Sequence, residues 1–132
     1  MQLTLQTDIS LRILILMGGQ DLDRRYTITE LADFFHVSRN HMVKIVNKLG
    51  KESYLLNVRG KGGGIYLAKK PEDINIAEVI RMMENNTKII DCQKHQCIFT
   101  GNCKLKGIIN QASTLFFEHI SQYTLADILI DL

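Results

Sequence analysis

Along the chain, stretches in which apolar side chains recur every three or four positions alternate with short stretches of glycine and polar residues. Residues 7–17 are mostly apolar and run into Gly18-Gly19, the pattern of a buried helix with a glycine stop. A polar loop over 20–25 follows. Thr27-Ile28-Thr29-Glu30 then has the Thr-x-x-Glu spacing of a capping box, which satisfies the orphan amides at a helix start. Ile28, Leu31, Ala32 and Phe35 repeat at helical spacing behind it. After a break at His36-Val37, Ser38 is placed to cap a second helix. There Met42, Ile45, Val46 and Leu49 form an apolar stripe, and Gly50 is positioned to end it. Two short helices so joined predict a helix-turn-helix. Residues 54–58 and 65–68 are short and β-favouring, and between them lies Arg59-Gly60-Lys61-Gly62-Gly63-Gly64, so they predict a hairpin with a glycine-rich tip. A hairpin directly after a helix-turn-helix is a wing.

Beyond Pro71, Asn75 with Glu78 three residues on opens a helix striped by Ile76, Val79, Ile80 and Met83. Residues 85–103 are polar without a period and read as a loop. Leu105, Ile108, Ile109, Ala112, Leu115, Phe116, His119 and Ile120 then trace a long amphipathic helix. It follows a domain that is already complete, so its apolar face is a candidate dimer seam, with packing onto its own core as the alternative. The expected fold is mainly α with a small β-hairpin. A winged helix-turn-helix fills 1–84 (helix-turn-helix about 28–51, wing about 54–68), a cysteine loop fills 85–104, and a dimerisation helix with a tail fills 105–132.

A chain of 132 residues has room for one domain with one core. No apolar stretch approaches the roughly 20 residues of a membrane span, and no basic flank or cleavage site marks a signal peptide, so a cytoplasmic protein without a membrane partner is expected. Charge sharpens this picture through its distribution. Residues 1–70 carry eleven Lys and Arg against six Asp and Glu, whereas 71–132 carry five against eight. Residues 39–70 hold eight basic side chains and one acid, Glu52. A basic block beside an acidic remainder suits a polyanion.

On the second helix of the pair, the face opposite the apolar stripe carries Asn40, Lys44, Asn47 and Lys51, flanked by His41 and Lys48. The first residues of such a helix reach furthest into the major groove. Ser38, Arg39, Asn40, His41 and Lys44 are therefore the expected groove set, with Lys48 on a phosphate. Arg59 and Lys61 flank the glycine tip, where wing residues meet the minor groove or its phosphates. A nucleotide phosphate loop would need Gly-Lys-Ser/Thr leading into a helix, but here the glycines lead into Ile65-Tyr66-Leu67, a strand pattern. No nucleophile–base arrangement is evident and the histidines are scattered at 36, 41, 95 and 119, so no enzyme is expected.

The three cysteines all lie in Cys92-x4-Cys97-x5-Cys103. An odd, clustered set in a cytosolic chain argues against a disulfide framework. Such a loop can gather three sulfurs around a metal centre: an iron–sulfur cluster, zinc, or free redox-active thiols are all compatible with the spacing. A fourth ligand is missing from the cysteines themselves; Asp91 and His95 are at hand.

With these elements in place, the chain resembles the IscR-like iron–sulfur transcription regulators, and within them the nitric-oxide-responsive repressors. The matching strings are Met1-Gln2-Leu3-Thr4 with Thr7-Asp8, Ser38-Arg39-Asn40-His41-Met42-Val43-Lys44-Ile45-Val46-Asn47, Val58-Arg59-Gly60-Lys61-Gly62-Gly63-Gly64-Ile65, and the cysteine loop, which together span nearly the whole chain. The cysteine spacing follows the nitric-oxide-responsive members rather than the pattern with a first gap one residue longer. The histidine ligand of that other pattern is absent, since position 107 is Gly. The resemblance implies a homodimer crossing through the long C-terminal helix and a 4Fe–4S or 2Fe–2S cluster on Cys92, Cys97 and Cys103. It also implies Asp8, donated by the partner subunit, as the fourth ligand. By position alone Asp8 is an acid in the first turn of a helix, where the dipole favours it. The function implied is repression from a double-stranded DNA operator, relieved when nitric oxide reaches the cluster. The alternative keeps the winged helix and lets the same loop sense iron–sulfur supply, redox state or zinc.

Overall fold

The computed structural model describes residues 1–19, 21–94 and 96–131. Helix α1 spans Leu5–Gly18, and the Thr4 hydroxyl caps it by accepting from the Thr7 N–H. Helix α2 (Ile28–Phe35) starts on the expected capping box: Thr27 accepts from the Glu30 N–H at 3.1 Å, and the Glu30 carboxylate accepts from the Thr27 N–H at 2.7 Å. Helix α3 (Arg39–Lys51) starts at Ser38, whose hydroxyl accepts from the His41 N–H at 3.2 Å. Gly50 does not end α3. The helix runs on to Lys51, and Ser53 takes the left-handed conformation (φ 62°) that closes it, with Tyr54 N–H donating to the Leu49 carbonyl at 2.9 Å.

Strands β1 (Leu55–Val58) and β2 (Gly64–Leu67) form the antiparallel hairpin, with Leu55 opposite Leu67 and Val58 opposite Gly64. Just beyond the polar loop over 20–25, Tyr26 pairs with Ile65 and extends the hairpin by a single-residue bridge. A short 3-10 turn, Pro71–Asp73, leads into α4 (Ile76–Met83), where the Asn75 side chain accepts from the Ala77 N–H at 3.0 Å.

One core joins these elements. Ile13 and Leu14 of α1, Leu31 of α2, Met42 and Leu49 of α3, Leu55 and Ile65 of the hairpin, and Val79 of α4 are all buried in it. These are the stripes read from the sequence. Helix α5 (Lys104–Ile120) leaves most of its apolar stripe uncovered by its own chain. Leu105, Ile108, Leu115 and Phe116 stay exposed; the residue that seats in the core is Phe117, with the Arg81 guanidinium 4.3 Å over its ring. The tail then returns to the first domain. Leu125 is fully buried, and its N–H donates to the Ile74 carbonyl at 2.8 Å. No described helix is long and apolar enough to cross a membrane.

Candidate nucleic-acid interface and cysteine site

Burial of Met42, Ile45, Val46 and Leu49 fixes which side of α3 faces outward. Arg39, Asn40, Lys44 and Asn47 lie fully on that exposed side, and the Ser38 hydroxyl is spent on the cap. His41 is half-buried and its Nε2 is enclosed without a hydrogen-bond partner. Lys48, expected on a phosphate, turns toward α4, where its amine donates to the Met83 carbonyl at 2.9 Å. Arg59 and Lys61 stand exposed at the hairpin tip. Among the described residues the one ion pair is Arg12 with Asp8 at 2.9 Å, so the cations of α3 and of the tip carry no carboxylate partner.

The cysteine loop begins where this interface is anchored. Glu84, directly after α4, accepts from the Thr7 hydroxyl at 2.7 Å, from the Thr4 N–H at 2.8 Å and from the Thr4 hydroxyl at 3.1 Å. Partial burial pushes its carboxyl up, but the Thr7 and Thr4 hydrogen bonds, aided by the nearby Lys48 ammonium, outweigh that and hold it below the usual carboxylate range. Residues 83–84 therefore tie the start of α1, the end of α4 and the body of α3 together. Sequence spacing gave no sign of this junction, because it joins residues 35 and 80 positions apart.

Beyond it the three thiols are free and partly exposed. Cys92, Cys97 and Cys103 line one cavity of about 300 Å³, with Gln93, Thr100, Gly101 and Lys106. The Thr100 hydroxyl donates to the Cys97 carbonyl at 2.7 Å, and Gly101, at φ 100°, turns the chain back to Cys103 in a conformation that suits glycine. Cys103 is itself the N-cap of α5, its sulfur accepting from the Lys106 N–H at 3.4 Å. No three described His, Cys, Asp or Glu side chains converge tightly enough to chelate a single metal ion. Of the two candidate fourth ligands within the loop, the Asp91 carboxylate accepts from the Gln93 N–H at 3.0 Å, and His95 lies outside the described residues. Asp8 does not reach this cavity in its own chain; with Arg12 it lines a separate depression at the start of α1.

Comparison with known proteins places this arrangement. A family model described as Rrf2, an iron-dependent transcriptional regulator, matches residues 3–131. The HTH-type transcriptional regulator NsrR of Bacillus licheniformis is 40% identical over 134 residues, covering 99% of this chain and 94% of that one. NsrR of Bacillus subtilis is 37% identical, covering 97% and 90%. Among solved structures, the global cysteine regulator CymR of B. subtilis superposes with a TM-score of 0.77 at 16% identity, covering 96% of this chain and 95% of that chain. T. potens IscR superposes with a TM-score of 0.76 at 19% identity, covering 96% and 85%. The two structures share the winged-helix fold. The chain belongs to the Rrf2 family of transcriptional regulators, is similar to the members named NsrR, and is not an enzyme.

Proposed function

We propose that this regulator is a DNA-binding repressor whose operator affinity is set by an iron–sulfur cluster that responds to nitric oxide. The observation that carries the reading is the three-thiol cavity, whose loop starts at the junction bracing the recognition helix. Cys92, Cys97 and Cys103 would hold the cluster. Their donor chemistry fits, since thiolates select iron–sulfur centres and all three line one cavity. When bound, the cluster supplies iron open to a small diatomic ligand at the site lacking a fourth thiol. Asp8 of the partner subunit is the proposed fourth ligand, consistent with its placement away from its own cysteines.

The chain's own residues do the rest. Arg39, Asn40 and Lys44 approach base edges and phosphates in the major groove, and Arg59 and Lys61 meet the adjacent minor groove or its backbone. Lys48 braces α3 against the end of α4, and Glu84 holds α1 to the same point. A loop that shifts at Cys92 pulls on residues 83–84 and so on the angle of α3. The exposed apolar face of α5 pairs with its copy in a homodimer, giving two recognition helices for an operator with two-fold symmetry.

Gel-shift binding of anaerobically purified protein, with and without nitric oxide, tests this. Tight binding that is lost on exposure, together with a visible spectrum and stoichiometric iron and sulfide, is the expected result. Unchanged affinity after exposure overturns the signal. A colourless protein holding one zinc per chain favours the zinc-sensing alternative.

A further inference from the structure

The basic surface around the wing extends past its tip onto a segment that precedes the helix-turn-helix. Tyr26 is locked to β2 on both sides: its N–H donates to the Ile65 carbonyl at 2.9 Å, and its carbonyl accepts from the Ile65 N–H at 2.7 Å. Tyr26 faces inward and is buried, so Arg25, next to it in extended chain, faces outward and is exposed. Its guanidinium lies 4.0 Å from the centre of the Tyr66 ring. The backbone beneath it lies against Gly64, where an added Cβ would stand 2.9 Å from the Arg25 Cβ. Gly64 pairs with Val58, the last rung before the tip, and Arg59 follows Val58 directly. Two segments, the chain before Tyr26 and the hairpin tip, thus bring Arg25 to the same small sheet as Arg59 and Lys61.

None of the three is paired with a carboxylate among the described residues. The Tyr66 ring holds the Arg25 stem in place, and its N–H donors have no hydrogen-bond partner among the described residues, which suits a phosphate and lowers the entropy lost on binding.

We infer that Arg25, stacked on Tyr66, is a further nucleic-acid contact, gripping the phosphate backbone of duplex DNA beside the groove that Arg59 and Lys61 approach. The inference rests on the DNA-binding reading above. Phosphate contacts are independent of sequence, so a mixed-sequence duplex of about 30 base pairs is an adequate probe. The test is fluorescence anisotropy over a salt series with the full anaerobic chain, using Arg25→Ala, Arg25→Gln and Tyr66→Leu. Arg81→Ala is the control, a stacked cation on α4 that packs on α5 instead of the hairpin.

Loss of the Arg25 charge is expected to reduce the slope of log affinity against log salt by about 0.9 in either Arg25 variant. Tyr66→Leu should weaken binding while keeping the wild-type slope, and Arg81→Ala should leave both unchanged. A wild-type slope in folded Arg25→Gln overturns the inference. So does a lowered Tm with an unaltered slope, which would make the stack a structural prop only. Folded wild-type protein that binds no duplex at low salt overturns the DNA-binding reading itself.

Discussion

At the scale of single residues, two glycines of similar appearance in the sequence have opposite roles. Gly64 has φ 143° and no room for a side chain, with Arg25 and the Tyr26 carbonyl close to where a Cβ would stand. Gly64→Ala should cost about 1–3 kcal/mol from backbone strain and contact, read as a lower urea midpoint, and should push the Tyr26 segment off the hairpin. Gly107 sits inside α5 with nothing near its missing Cβ. Gly107→Ala should raise stability by up to about 1 kcal/mol through helix propensity, seen as a higher Tm. Glu84 makes a prediction in pH. Its folded pKa lies below its ordinary value of 4.5, so the stability it adds is present above 4.5 and is lost as pH falls through the folded value. Glu84→Gln should flatten that acid limb in denaturation curves recorded between about pH 3 and 6, and an unchanged limb would show that the junction contributes nothing.

At the scale of elements, what the sequence disclosed was local. Thr27 with Glu30, Ser38 and Asn75 announced three helix starts, because a cap is a hydrogen bond spanning two or three residues. Ends were harder: Ser53 and His36 adopt left-handed backbone where glycine is the usual signal, so Gly50 pointed to the wrong residue. The bridge from Tyr26 to Ile65 and the return of Leu125 to Ile74 depend on contacts between distant residues and left no local mark. Periodicity marked the apolar face of α5 without saying whether its own chain covers it, which left both a dimer seam and core packing open. Ile108 and Leu115 remain 63% and 57% exposed while Phe117 takes the buried place. Substituting Leu115→Glu should convert the proposed homodimer to monomer by light scattering while leaving the monomer core folded, because that side chain touches little of its own chain. A variant that stays dimeric would move the seam elsewhere.

At the scale of the whole molecule, the candidate site was legible in its chemistry and illegible in its connections. Three thiols, a basic helix face and a cationic wing could be named from residue types. That Lys48 and Glu84 bind the loop to α1 and α3 required the folded chain. The position of Cys103 has a mechanical consequence. Helix α5 is held to the core near its far end, at Phe117, and begins at a sulfur belonging to the loop. The stretch from Lys104 to Phe117 is roughly 20 Å long, at 1.5 Å per residue, and would act as a lever between the loop sulfur and the buried ring of Phe117. A displacement of the sulfur by an ångström or two would swing the exposed face of the helix as a rigid rod, and in the proposed homodimer two such rods crossed against each other would turn that small motion into a change of angle between their wings.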